Sequence, residues 1–474
     1  MFQTLKNAWR TKEIRGKLLF TLLILLLYRI GTVIPVPFVD ANNFADNFSG
    51  TILDYMNTLS GGSLGTATLF ALGVSPYINS SIIIQLLSIV FPKLGEIAKN
   101  DKKKMNFITR IVTMILAVVT AIGYYFLLET YGQLSATVVH SNVRWLYIIV
   151  IVACYCAGAA LIMWLAERIN ERGIGNGISL ILFANIIASI PPFLYQLIKL
   201  AYTTYFYGSV PENAPPHAWL YPTIATAFAV VFLVFEVALI MFVILVTGSE
   251  RRIPVQYAKK VVGRKMYGGQ SSHLPIKLNM TGDMPIIFAS SIVSLVPTIL
   301  QLCQVQEGSF WGKVDKLLAA DGFVYPTLLF ILIIAFAYFY SQITFDPMEV
   351  ANNLQRQGGA IPGIRQGRPT ALYIKKILNK VTLVGALFLG VIAVLPAILG
   401  PHAIEHLIRW IVTGGYYPDP ASYSAYWIEP TVSMLSSVFT FGGTTLLIMV
   451  GVAIETFREL EAQLTMRNYK GFLN

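Results

Sequence analysis

An uncharged stretch between Asp54 and Lys93 constrains the fold of this chain more than any other feature. One membrane-spanning helix needs about 20 apolar residues to cross a hydrocarbon core of about 30 Å, and the stretch is nearly twice that length. Its first part, residues 60–73, is small and Gly-rich, whereas Pro76–Phe91 is apolar and long enough to span. Non-helical backbone at membrane depth is tolerated only where protein or a water-filled cavity surrounds it. The stretch therefore predicts a pore with a segment folded into it.

The composition predicts a membrane protein with several spans. Hydrophobic residues make up 55% of the 474 residues and charged residues only 12%, where soluble domains carry about 25% charged residues. The three cysteines, Cys154, Cys156 and Cys303, all lie in apolar segments. On a helix, two residues that are two positions apart point in different directions. We therefore interpret the cysteines as small packing residues and expect no disulfide and no metal site.

Ten charge-poor runs approach or exceed the length of a membrane span. They are approximately 18–37, 76–91, 111–128, 145–166, 178–198, 219–247, 284–305, 322–345, 381–400 and 430–454. Of the 35 Lys and Arg residues, 29 fall in the N-terminus and the alternate connections that would share its side. Because cytoplasmic segments carry the excess of Lys and Arg, both termini are predicted to be cytoplasmic.

Two of the predicted cytoplasmic loops, 248–283 and 346–369, are longer than a helix connection needs. Both mix basic residues, glycine and proline with apolar residues, whereas disordered tails have few apolar residues. Ordered basic protrusions can dock an acidic or RNA-rich partner. The alternative is that their charge serves only to orient the chain in the membrane. Charge alone does not decide between the two interpretations.

Short motifs along nearly the whole chain resemble those of the SecY family, the central subunit of the bacterial protein-translocation channel. They are RIGTVIPVP (29–37), FALGVSPYI (70–78) running on through SIIIQLL (81–87), ERGIGNGIS (171–179), RRIPVQYAK (251–259), YGGQSS (267–272), PGIR (362–365) and FGGTTLLI (441–448). They occur in the family's order and at its spacing. The chain departs from the pattern at IAKNDKKK (97–104), at Gln366, and in the outer stretch 402–427, which is longer than usual.

The resemblance implies an all-α polytopic membrane protein with ten transmembrane helices in two inverted five-helix halves around an hourglass pore. Residues 1–200 would form the N-terminal half and residues 219–474 the C-terminal half. An external connection, 201–218, would join them. Inverted repeats of this kind place the working site near the membrane midplane.

The family closes the waist of its pore with aliphatic side chains, which we call the pore ring. By motif position the pore ring here would consist of Val74, Ile78, Leu182, Ile186, Ile287 and Ile448. The pairs Val74/Ile78 and Leu182/Ile186 are each four residues apart and so share a helix face. Ordinary helix packing would produce the same spacing, so the assignment depends on the resemblance. A ring without hydrogen-bonding groups would keep water and ions out of a narrow waist.

The segment 60–73 would be the plug that rests against the pore ring in the idle state. Its expected contact residues are Ser60, Gly61, Gly62, Leu64, Leu69 and Phe70. Each glycine costs helix stability of about 1 kcal/mol relative to alanine, so we expect a weakly held segment.

In the family, the second, third, seventh and eighth spans form a lateral gate that opens towards lipid. Polar residues of the second span would hold it shut through interhelical hydrogen bonds, or would face the aqueous funnel; the sequence leaves both open. These residues are Asn79, Ser80, Ser81 and Gln85.

The chain has no phosphate-binding loop, so energy would have to come from a bound motor or a ribosome. The resemblance implies the small subunits SecE and SecG, the motor ATPase SecA, the ribosome, signal sequences, unfolded polypeptides and anionic lipids as partners. It also implies the bacterial plasma membrane, with no cofactor and no enzymatic activity. Arg251, Arg252, Lys259 and Arg365 are the candidates for the motor or ribosome contact.

Two alternatives compete with a channel. A secondary transporter can also be built from inverted repeats, but ion-coupled transporters usually carry several ionisable groups within the membrane. Here only Arg29 and Glu236 lie within spans, and Arg29 is close enough to a span end to snorkel. The pattern His402-x-x-Glu405-His406 resembles an inverted zinc-peptidase motif, but it falls in an outer loop without a recognisable third ligand.

Overall fold

The structure is a computed structural model that describes residues 2–40, 44, 52–135, 143–206, 220–257, 260–262, 265–267, 271–280, 282–302, 309–318, 324–398 and 443–470. Helices dominate these residues, as the apolar composition predicts. Lys259, the motif at 402–406 and the outer stretch 402–427 lie outside the described residues.

The N-terminal part of the chain contains eight described helices. They are α1 (Phe2–Arg10), α2 (Lys12–Gly31), α3 (Ile52–Leu59), α4 (Ser75–Val90), α5 (Pro92–Asn100), α6 (Lys102–Thr130), α7 (Arg144–Arg172) and α8 (Gly177–Phe206). Proline is well suited to the first turn of a helix because its missing N–H is not needed there. Pro76 accordingly lies in the first turn of α4. The break predicted from the sequence is therefore the start of a helix.

The C-terminal part contains seven described helices. They are α9 (Leu220–Gly248), α10 (Met284–Leu302), α11 (Phe310–Leu317), α12 (Val324–Thr344), α13 (Pro347–Arg356), α14 (Arg368–Ile398) and α15 (Thr444–Lys470). Ten of the described helices, α2, α4, α6 to α10, α12, α14 and α15, overlap the ten predicted spans.

Length and apolar composition alone identify four candidate membrane spans among the described residues: 103–130, 144–172, 324–356 and 368–395. A fifth candidate is the pair Ser75–Val90 and Pro92–Ala98, which bends by 118°. Further apolar helical segments, at 177–192, 233–248 and 284–300, are shorter. Many large apolar side chains of these helices, such as Leu26, Ile122 and Ile149, are exposed, as side chains that face lipid must be.

The two long loops fold together through β-strands. Strands β1 (Glu250–Tyr257) and β4 (Ser271–Lys277) pair antiparallel, and β5 (Gly359–Ala360) of the second loop adds to the other edge of β1. A further hairpin pairs β2 (Lys260–Val262) with β3 (Lys265–Tyr267). Ile253 and Val255 alternate inward along β1 and pack on Leu354 and Ile374. Strands β4, β1 and β5 therefore join the described parts of the two loops in one sheet.

The largest buried cluster among the described residues lies where helices of the N-terminal and C-terminal parts of the chain meet. It contains side chains from α2, α4, α7, α8, α9, α10, α12, α14 and α15. Helix α10 contacts α4 and α6 as well as α12 and α15. These contacts place the predicted gate helices α4, α6, α10 and α12 next to one another, around the candidate site.

Candidate functional site

The six predicted pore-ring residues are all buried and belong to one continuous apolar cluster. Their exposed fractions run from 0% for Ile186 to 7% for Ile78. Val74 precedes the first turn of α4, and Ile78 lies one turn into that helix. Helix α8 carries Leu182 and Ile186, and the other two residues are on α10 and α15. None of the six faces lipid, and four different helices bring them together.

An internal cavity of about 180 Å³ connects the predicted pore ring with the plug. Its lining includes five of the six ring residues: Val74, Ile78, Leu182, Ile287 and Ile448. Ser60, Leu64 and Gly73 line it from the plug, and α10 adds hydroxyl groups such as Ser290 and Ser294. The walls are largely apolar. Water therefore enters this cavity reluctantly.

The plug segment 60–73 forms successive turns between α3 and α4 rather than a helix. Gly61, Gly62 and Gly73 have positive φ angles of 68°, 86° and 57°, which glycine adopts without steric cost. The side chain of Asn57 organises the first turns, because its Oδ1 accepts a hydrogen bond from Gly65 N at 2.8 Å. The glycines thus allow the compact turns of this segment.

Contacts from several helices hold the plug in place. Tyr124 of α6 donates a hydrogen bond to the Leu64 carbonyl, and the Leu69 amide donates to the Ile34 carbonyl at 2.9 Å. Gly158 of α7 lets the Leu69 carbonyl approach so closely that a Cβ would lie 2.0 Å from it. Phe70 is 3% exposed. Hydrogen bonds and close packing therefore position the segment against α2, α6 and α7.

The four predicted gate residues have different partners. Gln85 of α4 accepts a hydrogen bond from the Tyr340 hydroxyl of α12, and its own Nε2 donates to Ser81 Oγ at 3.2 Å. Ser80 instead shares a 2.6 Å hydrogen bond with Thr113 of α6, within the N-terminal part of the chain. Asn79 lines the cavity. Within the described residues, Gln85 is thus the predicted gate residue that bonds to a helix of the C-terminal part.

Sequence reasoning missed the partners of these residues. Tyr340 packs its ring edge-on against Phe288 of α10 at 5.0 Å and is buried. Tyr340 and Gln85 are 255 positions apart, so no local pattern could pair them. A tyrosine in an apolar helix is a signal in itself, because a buried hydroxyl needs a hydrogen-bond partner.

The predicted motor-contact residues lie on the joined loops. Arg251 and Arg252 are exposed on β1, and Arg252 Nε donates to Glu250 Oε1 at 2.7 Å. Arg365 is exposed in the second loop between β5 and α14. Since β5 pairs with β1, both loops present their arginines from one folded unit.

Glu236 of α9, the acidic residue within a predicted span, is 9% exposed. Its Oε2 has no hydrogen-bond partner among the described residues. Among those residues there is also no group of three or more His, Cys, Asp or Glu side chains that could hold a metal ion.

A bundle of membrane-spanning helices around an internal cavity, closed by a folded non-helical segment, is the architecture of a plugged membrane channel. The SecY family model matches residues 68–457. The protein translocase subunits SecY of Streptomyces coelicolor and Mycobacterium bovis are 37% and 38% identical to the chain, and each alignment covers all of both sequences. The chain therefore belongs to the SecY family.

Solved structures agree with this fold. A protein-conducting channel superposes with a TM-score of 0.56 at 17% identity, covering 94% of this chain and 92% of that chain. A SecY structure described with a plug domain that stabilises the closed channel gives 0.54 at 18% identity, with the same coverage. Canine Sec61, from a complex of ribosome and channel, gives 0.53 at 16% identity and again covers 94% and 92%. The likeness establishes the fold of the chain.

Proposed function

We propose that this protein is a protein-conducting channel that passes unfolded secretory polypeptides across a membrane and releases hydrophobic segments sideways into the bilayer. The observation that carries the proposal is the cavity lined both by five pore-ring aliphatics and by the plug. Membership of the family supports the channel and does not favour the secondary transporter.

The pore ring seals the idle channel through its chemistry. Branched aliphatic side chains offer no hydrogen bonds, so a narrow waist lined by them excludes water and ions by dewetting. The same side chains can yield to any translocating residue without binding it. The plug adds a second barrier on the cavity side. Translocation then requires that both barriers move.

The lateral gate sorts segments by their partition energy. In a membrane helix, a central leucine is favourable by about 0.5 kcal/mol and a central arginine unfavourable by about 3 kcal/mol. A hydrophobic segment in the pore therefore gains free energy when it leaves towards lipid between α4 and α12. The Gln85–Tyr340 hydrogen bond supports a gate at this position, because it joins the two helices that have to separate.

The proposal includes the two halves 1–200 and 219–474, a position in the bacterial plasma membrane, and cytoplasmic termini. It also includes the partners SecE and SecG, with drive from SecA or a ribosome, because the sequence has no nucleotide-binding loop. The two loops joined by β1 and β5 support a docking surface on one side. Arg251, Arg252 and Arg365 would contact the motor or ribosome there.

The experiment that tests the proposal is reconstitution of the protein into liposomes with SecE, SecG and SecA. ATP-dependent protection of a secretory precursor from external protease is the expected result. Small-solute uptake by the protein alone, without precursor transport, would favour the transporter and contradict the channel.

A further inference from the structure

Asn185 is a fully buried polar residue on the helix that carries two pore-ring positions. It lies three residues after Leu182 and directly before Ile186 on α8, and its exposed fraction is 0%. A buried amide side chain costs free energy unless it is hydrogen-bonded. Its partners therefore indicate what this position does.

The amide of Asn185 reaches the junction between α3 and the plug. Its Nδ2 donates to the carbonyl oxygen of Leu59 at 2.8 Å and to the Tyr28 hydroxyl at 2.9 Å. Leu59 is the last residue of α3, where carbonyl groups lose their partners within the helix. The side chain of Asn185 thus caps α3 immediately before the plug begins at Ser60.

Gly61 fits between two polar groups at this junction. A Cβ added there would lie 2.7 Å from Arg29 Nη1 and 2.8 Å from Asn185 Oδ1. Both of these atoms are buried and lack a hydrogen-bond partner among the described residues. The sequence position of Arg29 predicted a side chain that snorkels to the membrane surface. Its buried Nη1 is instead directed at the backbone of the plug.

Tyr28 extends the contact to the far end of the plug. Its ring is fully buried and stacks on Phe70 with 5.3 Å between ring centroids. A Cβ at Gly31, one turn along α2, would lie 2.0 Å from the Phe70 ring. Two adjacent residues of α2 and one residue of α8 thus contact the start and the end of the plug.

We propose that Tyr28, Arg29 and Asn185 form a polar latch that holds the plug closed, and that movement of α8 at the pore ring releases it. Asn185 and Ile186 are neighbours on one helix, so a polypeptide that pushes Ile186 outward also displaces the amide. The Leu59 carbonyl and the Gly61 turn then lose their partner together. Widening of the ring and departure of the plug become one event. This inference rests on the proposed channel function.

The first test uses two glycines that differ only in what surrounds them. Gly61→Ala and Gly62→Ala place alanine at φ angles of +68° and +86°, but a Cβ at Gly62 would meet no atom within 4 Å. Both variants therefore place alanine in strained backbone, but only the Cβ of Gly61→Ala would contact Arg29 and Asn185. Resting ion conductance in planar bilayers should rise for Gly61→Ala well above the value for Gly62→Ala. Equal conductance of the two variants would overturn the latch.

The second test removes the hydrogen bonds. Asn185→Leu loses two interhelical bonds, which predicts a rise of about eightfold in the open fraction of the plug, and Tyr28→Phe loses one, which predicts about threefold. Ser189→Ala is the control, because the Ser189 hydroxyl lies one turn further along α8 and donates to the Asn185 carbonyl of its own helix. Conductance that is highest in Asn185→Leu, lower in Tyr28→Phe and lowest in Ser189→Ala supports the latch. Wild-type conductance of Asn185→Leu contradicts it.

The third test follows the plug itself. Ser63, which is 1% exposed in the plug, is replaced by cysteine in a chain whose three native cysteines are alanine. The new thiol should react with a polar maleimide only when a stalled precursor fills the pore, whereas Asn185→Leu should make it reactive without precursor. A thiol that stays protected in Asn185→Leu would overturn the latch.

The two proposals fail in different ways. If Ile186→Ser leaks ions and precursor is transported while Asn185→Leu and Gly61→Ala both behave as wild type, the latch is wrong and the channel stands. If no variant leaks and no precursor is transported, the channel itself is wrong.

Discussion

The hydrogen bond between Gln85 and Tyr340 predicts how strongly the lateral gate is held shut. Tyr340→Phe removes only the hydroxyl, because the ring still packs on Phe288. Hydrogen bonds between membrane helices contribute about 0.6 kcal/mol on average and about 1.7 kcal/mol at most. At about 1.36 kcal/mol per tenfold change, loss of the bond should shift the gate towards the open state by about threefold to about eighteenfold.

The assay is the export rate of a precursor whose signal sequence has been made less hydrophobic. Such a signal opens the gate poorly, so a weakened gate should restore its export by a factor in the same range. Tyr338→Phe is the matched control, since Tyr338 lies two residues away on α12 and donates to the Asn379 carbonyl of α14 at 3.2 Å, within the C-terminal part of the chain.

A double-mutant cycle separates the bond from other effects. Gln85→Leu should rescue the weakened signal to a similar extent, and the double variant with Tyr340→Phe should add little, because both changes remove one interaction. Additive effects, or equal rescue by Tyr338→Phe, would refute the assignment of this bond to the gate.

Three further predictions concern the second long loop and the Asp283–Gly451 contact between α10 and α15. Arg365→Glu should abolish SecA-driven export and leave the melting temperature unchanged. Arg356→Glu, which changes another exposed arginine of the same loop, should leave export normal. Normal export by the Arg365→Glu variant would remove Arg365 from the motor contact. Burial, and then the charge of Glu455, raise the pKa of Asp283, so the folded protein loses stability as pH rises above about 4, the unfolded value. Asp283→Asn should therefore raise the melting temperature more at pH 8 than at pH 5, and an equal gain at both would contradict the buried carboxylate. Gly451→Ala should destabilise the fold, because its Cβ would lie 1.8 Å from Asp283 Oδ1, and Asp283→Ala should restore the melting temperature of that variant.

The helices could be predicted from the sequence because a bilayer imposes a simple rule. Each span must be apolar and long enough to satisfy its own backbone, so the hydropathy of runs such as 111–128 is sufficient to locate α6. The strands of the two loops did not emerge from the sequence in this way. Pairing of Gln256 with Ala360 joins segments 104 positions apart, and nothing near either residue encodes it.

The sequence predicted which residues form the pore ring, but it did not predict which partners the residues around the plug contact. Motif position identified six aliphatic residues that prove to be buried together. The position of Arg29 near a span end predicted a snorkelling side chain, but its surroundings depend on the plug that folds against α2. Asn185 was overlooked because an amide in an apolar helix has no periodic pattern. Its role follows from partners at positions 28 and 59.

The resting conductance of pore-ring variants tests the central claim most directly. Ile186→Ser and Ile287→Ser place hydroxyls at buried ring positions, whereas Ile187→Ser makes the same change on α8 at a side chain that is 42% exposed. The two ring variants should raise ion leak through the idle channel, and Ile187→Ser should leave it at the wild-type level. An unchanged leak in Ile186→Ser and Ile287→Ser, or the same leak in all three variants, would contradict a channel sealed by this ring.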